Sequence, residues 1–422
     1  MRVAVVDGYS TGRMLVETVR RHGVECVHVR SSPDMPEFFT RGFRTDDYVH
    51  DLTHTGDPAG LAAALTRLGV DRVVAGTESG VTLADTLAHL LGQPGNDVAR
   101  LGARRDKELM GAAVEAAGLA TPLGRSFDSA AAAVDWFTAT GLAEAVVKPS
   151  SSAGSDNVRF CSSADEVRRA CATVLAASNL YGAPNPVVLV QERLRGVEYY
   201  VNSVSHEGVH RIAEIWRYTK RVGAAGSPVY DFEEPVAVAS AEAAAIRAFV
   251  PAVLDALGVA SGAAHTEVMV TDRGPVLIES GARLGGGTLP WVAEKYSGVS
   301  QTSLFAQALL DPRRLVGFDD AATGWSGRVR NVALINAAKG PAGPLDWAGR
   351  IEGLPTTVAL VHAVVPGALL EATTDLISSP GFVYLAAEDP REVERDYRRL
   401  RAMEEAGCYT VDVPSPVGTG PN

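Results

Sequence analysis

The chain has 422 residues, of which 46% are hydrophobic and 21% charged, with a formal charge of −11. The length allows roughly two to four domains and the composition is that of a core-forming globular protein. The acidic balance excludes broad contact with a nucleic-acid backbone, which calls for a basic surface.

The first hundred residues alternate strand and helix. "VAVVD" (3–7) is an apolar run, "MLVETVRRHG" (14–23) has helical spacing ending at Gly23, and "VECVHV" (24–29) is the next strand. "DPAGLAAALTRLG" (57–69) is a helix with Asp57 near its cap, followed by the strand "DRVVAG" (71–76). This rhythm predicts a parallel sheet flanked by helices. The turns "DGYSTG" (7–12) and "GTESG" (76–80) fall at strand C-termini, where open parallel sheets bind ligands, but no full GxGxxG is present.

An alanine-rich helix covers 104–122, and "AEAVVKP" (143–149) is a strand leading into "SSSAGSDNV" (150–158). A helix with an acidic first turn spans 163–178, "PVVLVQERL" (186–194) is a strand, and 196–216 reads as a strand pair turning near Glu207–Gly208. Ala241 to Leu257 is a helix too polar to cross a membrane. "HTEVMVTDRGPVLIESGARLGGG" (265–287) holds two more strands. From about residue 315 new strands ("VRNVALINAA", "TTVALVHAVV") and a charged helix (390–406) suggest a separate lobe, and "PSPVGTGPN" is a loose tail. The N-terminus lacks the apolar core of a signal peptide. Cys26, Cys161, Cys171 and Cys408 show no CxxC spacing and read as free thiols of a cytoplasmic protein.

The chemistry concentrates in 265–287. A hairpin centred on Arg273, with Gly274 in a left-handed turn position, places Thr271 opposite Pro275, Met269 opposite Leu277 and Glu267 opposite Glu279. Facing residues have Cβ atoms roughly 4.5–5.5 Å apart, so two carboxylates there repel unless a proton or cation intervenes. A divalent magnesium ion that also takes phosphate oxygens answers this, which points to a nucleotide site; the plainer alternative is a solvated hairpin whose acids pair with lysines. Arg283 and the glycines 285–287 offer a guanidinium and close backbone amides to a phosphate or a developing oxyanion.

Nucleotide phosphates need further cations. Lys148 ends an apolar strand before Pro149, Lys107 opens a helix, and the loop 150–156, with Ser155, can fold over phosphates. "VQERL" (190–194), with Gln191, Glu192 and Leu194, ends a strand where backbone groups can meet an adenine edge, and Glu198 is placed to accept ribose hydroxyls.

In this order the segments "DKELM…AAGLATP", "VVKPSSSAGSDNV", "VLVQERLRGVEY", "HTEVMV" and "LIESGARLGGG" resemble the ATP-grasp superfamily over roughly residues 100 to 300. The wording "HTE" and "IESGARLGGG" is most similar to the L-amino-acid ligase branch of carboxylate–amine ligases. The resemblance implies a mixed α/β and α+β architecture: a Rossmann-like parallel-sheet domain (1–104), an ATP-grasp small lobe with a lid (105–190), a large lobe with the metal site (191–312) and a C-terminal α+β lobe (313–422). It also implies that Lys107 and Lys148 contact phosphates, Glu192 and Leu194 meet adenine and Glu198 the ribose. The same resemblance implies that Glu267 and Glu279 hold Mg2+, for which Mn2+ is a compatible substitute, and that Arg283 stabilises the charged intermediate with amides near Gly286.

One departure stands out: many members carry Asn two residues after the second glutamate, where this chain has Gly281. The implied reaction activates a small-molecule carboxylate as an acylphosphate and joins it to an amine, releasing ADP and phosphate. The alternatives are another ATP-grasp carboxylase or purine-type ligase, and a non-catalytic nucleotide-binding module. Neither nucleic acid nor membrane is expected as a partner, whereas a homodimer and a carrier-bound acceptor are both compatible.

Overall fold

A computed structural model describes residues 1–150, 157–179, 182–222 and 228–411. The chain divides into two compact units, Met1–Ile215 with Val236–Gly324, and Trp216–Pro235 with Trp325–Asn422. Residues 151–156, within the segment expected to fold over phosphates, and residues 180–181, 223–227 and 412–422 lie outside the described residues.

The first unit opens with a four-stranded parallel sheet, β1 (Arg2–Val6), β2 (Glu25–Arg30), β3 (His50–Thr53) and β4 (Arg72–Ala75), in the order β3-β2-β1-β4. Central β1 is buried from Val3 to Val6, as expected of a strand covered on both faces. Asp57 caps the helix Pro58–Arg67 by accepting from the Gly60 N–H, with Pro58 at its first position. The edge strand β3, "HDLT", is mostly exposed and polar, so no apolar run announces it.

Next comes an antiparallel sheet ordered β5-β8-β6-β7, formed by β5 (Gly124–Phe127), β6 (Ala145–Pro149), β7 (Arg159–Cys161) and β8 (Val188–Glu192). The helices Ala130–Thr140 and Ala164–Ala176 cover it, burying Phe137, Val147, Val167, Cys171 and Val190. The helix expected over 104–122 is shorter, Lys107–Ala116, because Asp106 caps it through the Glu108 and Leu109 N–H groups.

The rest of the first unit is built on β9 (Val197–His206), β10 (Val209–Val222) as far as Ile215, β12 (Gly262–Thr271) and β13 (Gly274–Gly281), with β12 between β9 and β13. The helix Ala241–Ala256 packs its Ile246, Val250 and Leu254 into the same core as Val201, Val268 and Leu277. Glu207 and Gly208, both at positive φ (47° and 79°), make the tight β9–β10 turn.

In the second unit β11 (Pro228–Pro235) pairs with Trp216–Val222 and with β14 (Arg328–Ala333), followed by β18 (Gly381–Ala387) and β16 (Thr357–His362). A two-residue pair, β15 (Gly340–Pro341) and β17 (Leu369–Leu370), completes it. The charged closing helix is Pro390–Glu405, and its buried Arg401 bonds to Asp231 and the Ala333 carbonyl. Among the described residues no helix is long and apolar enough to cross a membrane.

Candidate active site

Strands β12 and β13 face Glu267 with Glu279, by a different route from the one expected. The tip is Asp272–Arg273 with Gly274 at φ 91°, and the ladder begins at Thr271↔Gly274, so Met269 meets Val276 instead of Leu277. A bulge then steps over Ile278 and restores the register at Glu267↔Glu279. Bulges re-aim side chains, and this one puts both carboxylates opposite each other.

The charge of Glu279 is partly compensated within the chain, since Lys107 Nζ lies 3.0 Å from its Oε2. His265 Nε2 lies 3.8 Å from Glu267 Oε1. The His265 ring is held by Nδ1 at 2.8 Å from Asn202 Oδ1 and by Tyr200 at a 5.2 Å centroid distance, which suits a structural histidine. Among the described residues no group of three or more His, Cys, Asp or Glu side chains forms a metal cage. Two hard carboxylates are instead the donor set of a divalent cation that completes its shell with phosphate and water, so the residues present fit magnesium.

Lys148 is buried on β6 opposite Leu189. Burial first, and then Lys107, lowers its ammonium to about 8, against the pull of Glu279, Glu267 and Glu198. One electrostatic neighbourhood therefore joins five residues expected at the phosphate, metal and ribose positions. Lys107 is anchored by its own N–H, which donates to the Ser150 carbonyl at 3.2 Å. ADP affinity measured by calorimetry without metal is expected to weaken as pH rises from 7 to 9, approaching about tenfold, because the binding form is the protonated lysine. Lys148→Arg should flatten that dependence.

Arg283 meets a residue from the loop that follows β4. Its Nε donates to Glu78 Oε2 at 2.9 Å and its Nη1 to the Leu284 carbonyl at 2.9 Å. Arg105 Nη1 bonds to the same glutamate through Oε1 and the backbone carbonyl. Burial alone would raise the Glu78 carboxyl, but Arg283, then Arg105 and Lys107, hold it below the usual carboxylate range. Gly281 is what makes room: a Cβ there would come within 2.5 Å of Glu78 Oε2.

The glycine loop is tied down on both sides. The Gly285 N–H donates to buried Gln301 Oε1 at 2.8 Å, and Thr11 Oγ1 donates to the Gly285 carbonyl at 2.6 Å. Gly286 and Gly287 are exposed, whereas Gly285 is buried. A Cβ on Gly285 would meet Asn202 Oδ1 at 2.8 Å and His265 Nδ1 at 3.0 Å. Gly285→Ala is expected to cost about 1–3 kcal/mol in thermal unfolding, the usual penalty of overpacking.

Among the residues expected at adenine, Gln191 is buried and Leu194 partly buried. The Glu192 N–H donates to the Leu123 carbonyl at 2.8 Å and its side chain pairs with Arg273 at 2.7 Å. Glu198 lies on β9 opposite Met269. Ser155 lies outside the described residues.

Arg105, Asn202, Gln301 and Thr11 were not singled out from sequence. Arg105 carried a usable signal: two cations, Arg105 and Lys107, flank the start of a helix, where the dipole disfavours positive charge unless an anion binds.

Comparison with known proteins adds the following. The ATP-grasp domain family matches residues 143–290. Dapdiamide A synthase of Enterobacter agglomerans is 30% identical over 423 aligned residues, covering 96% of this chain and 98% of the synthase. An L-amino acid ligase from Bacillus licheniformis superposes with a TM-score of 0.73 at 18% identity, covering 95% of this chain and 97% of that one. The biotin carboxylase domain of Hydrogenobacter thermophilus 2-oxoglutarate carboxylase, solved with MgADP, superposes with a TM-score of 0.64 at 14% identity, covering 97% and 90%.

Proposed function

The chain belongs to the ATP-grasp carboxylate–amine ligases, and on that premise we propose that it joins the carboxylate of one amino acid or amino-acid derivative to the amine of another. It is an ATP-dependent, ADP-forming ligase. The amino-acid reading is supported by a full-length relative that makes dapdiamide A and by a fold neighbour that ligates L-amino acids. The observation that carries it is the meeting of Lys107, Lys148, Glu267 and Glu279 in one charge cluster, with Arg283 held two residues beyond β13.

In this reading Lys107 and Lys148 bind the phosphates, and Ser155 in the loop 150–156 closes over them. Gln191, Glu192 and Leu194 hold adenine, and Glu198 the ribose. Glu267 and Glu279 would hold Mg2+, which when bound neutralises charge on the phosphates. Lys107 then exchanges its contact with Glu279 for a phosphate.

Little covalent chemistry falls to the protein in phosphoryl transfer, so alignment and charge dominate. The substrate carboxylate attacks the γ-phosphorus, forming the acylphosphate and expelling ADP. The amine then attacks the acyl carbon, and Arg283 with the Gly286 amide stabilises the resulting oxyanion until phosphate leaves.

Domain limits follow the same reading: 1–104 precedes the ATP-grasp lobes, 105–190 is the small lobe, 191–312 the large lobe, and 313–422 the C-terminal lobe, which permits a homodimer. Free thiols at Cys26, Cys161, Cys171 and Cys408 suit a reducing cytoplasm.

The test is a matrix of amino-acid pairs with ATP and Mg2+, read by phosphate release and mass spectrometry. Phosphate, ADP and a dipeptide or amide should appear only with a matched pair. AMP and pyrophosphate, or turnover driven by bicarbonate, would overturn the reading.

A further inference from the structure

We propose that Glu78 is the positioning residue of Arg283: the loop after β4 supplies, across 205 residues of chain, a carboxylate that fills the space of a side chain at 281 and fixes the guanidinium through Nε. The inference rests on Arg283 stabilising the oxyanion of the ligation. Its geometry follows from how the three nitrogens are used. Nε is bound by Glu78 and Nη1 by the Leu284 carbonyl, so two of the three nitrogens are held by this chain. A guanidinium is planar, so two fixed nitrogens set the direction of the third.

Glu78 is itself held. Arg105 takes its other oxygen and its backbone carbonyl. The loop packs its backbone directly on the end of β1: a Cβ on Gly76 would meet the Asp7 carbonyl at 2.5 Å and one on Gly80 the Val6 carbonyl at 2.5 Å. Ser79 and Thr77 donate hydrogen bonds to the Asp7 carboxylate and carbonyl. Gly281 then has a positive reason: any side chain there would displace the carboxylate that holds Arg283. The glycine and the glutamate form one device, with the two halves on different elements.

The experiment compares Glu78→Ala, Glu78→Gln, Gly281→Ala, Arg283→Ala and the double variant Glu78→Ala/Arg283→Ala in the full chain. It uses the most active amino-acid pair from the matrix, with circular dichroism melts to confirm folding. Glu78→Ala should lower kcat on the order of 10–100-fold, with KM for ATP changed by less than about threefold. Glu78→Gln keeps a carbonyl oxygen for Nε and should recover most of kcat. Gly281→Ala should fall in the same direction as Glu78→Ala, and the double variant should be no slower than Arg283→Ala alone.

A double variant in which the two losses multiply would overturn the proposal, as would Glu78→Gln as slow as Glu78→Ala or a Gly281→Ala with parental kcat. If Arg283→Ala loses kcat while Glu78→Ala does not, positioning fails and the oxyanion role stands. If Arg283→Ala keeps kcat, both fail. Gln at 78 is nearly isosteric, so the question survives if the alanine variants do not fold.

Discussion

Glu279→Gln is expected to abolish measurable ligation, a fall of at least about 10²–10³-fold in kcat, while the chain stays folded. Glu279 sits opposite Glu267 and pairs with Lys107 at 3.0 Å. Both partners are partly exposed, so the lost ion pair costs less than about 1 kcal/mol, and relief of the facing charge on Glu267 offsets part of that. Thermal unfolding without nucleotide should therefore be close to parental. The difference should emerge with Mg-ADP. Ligand that binds only the folded state stabilises it by about 2.7 kcal/mol at a hundredfold excess over Kd, and the variant should lose most of that gain. A Glu279→Gln protein with parental turnover and a parental Mg-ADP shift would remove the metal role from the hairpin.

Arg283→Ala should separate chemistry from nucleotide binding. Removing one preorganised oxyanion donor typically costs about 2.7–4 kcal/mol of transition-state stabilisation, or 10²–10³-fold in kcat. ADP affinity, which the proposed reading assigns to Lys107, Lys148 and the β8 end, should change by less than about threefold. The variant leaves Glu78 with Arg105 as its main cationic partner, so some loss of stability is expected beside the kinetic loss. Rates should be compared per folded molecule, with Arg283→Lys as the variant that keeps the charge and loses the fork. Parallel losses in kcat and ADP binding would count against the oxyanion role.

Much of the site was legible because its signals are local. The apolar run before Lys148, the helix start at Lys107 and the acids at 267 and 279 each lie within a few residues of the feature that reveals them. Strand alternation put Glu267 opposite Glu279, although the true register reaches that pairing through a shorter tip and a bulge at Ile278. The two deviations cancel, and neither has a composition cue. Likewise "GTESG" could be placed at a strand end from the βαβ rhythm. Its carboxylate's partner, 205 residues away, could not.

What the sequence by itself determined was the set of chemical groups, the alternation of strands and helices, and the caps that begin the helices, since these depend on contacts between near neighbours in the chain. The tertiary structure alone decided which charges meet: Lys107 with Glu279, and Glu78 with Arg283 in the space that Gly281 leaves open. Such pairings arise when separate elements dock, and they are set by burial and Coulomb energy over a few ångströms of space. The chain's order carries no local record of them.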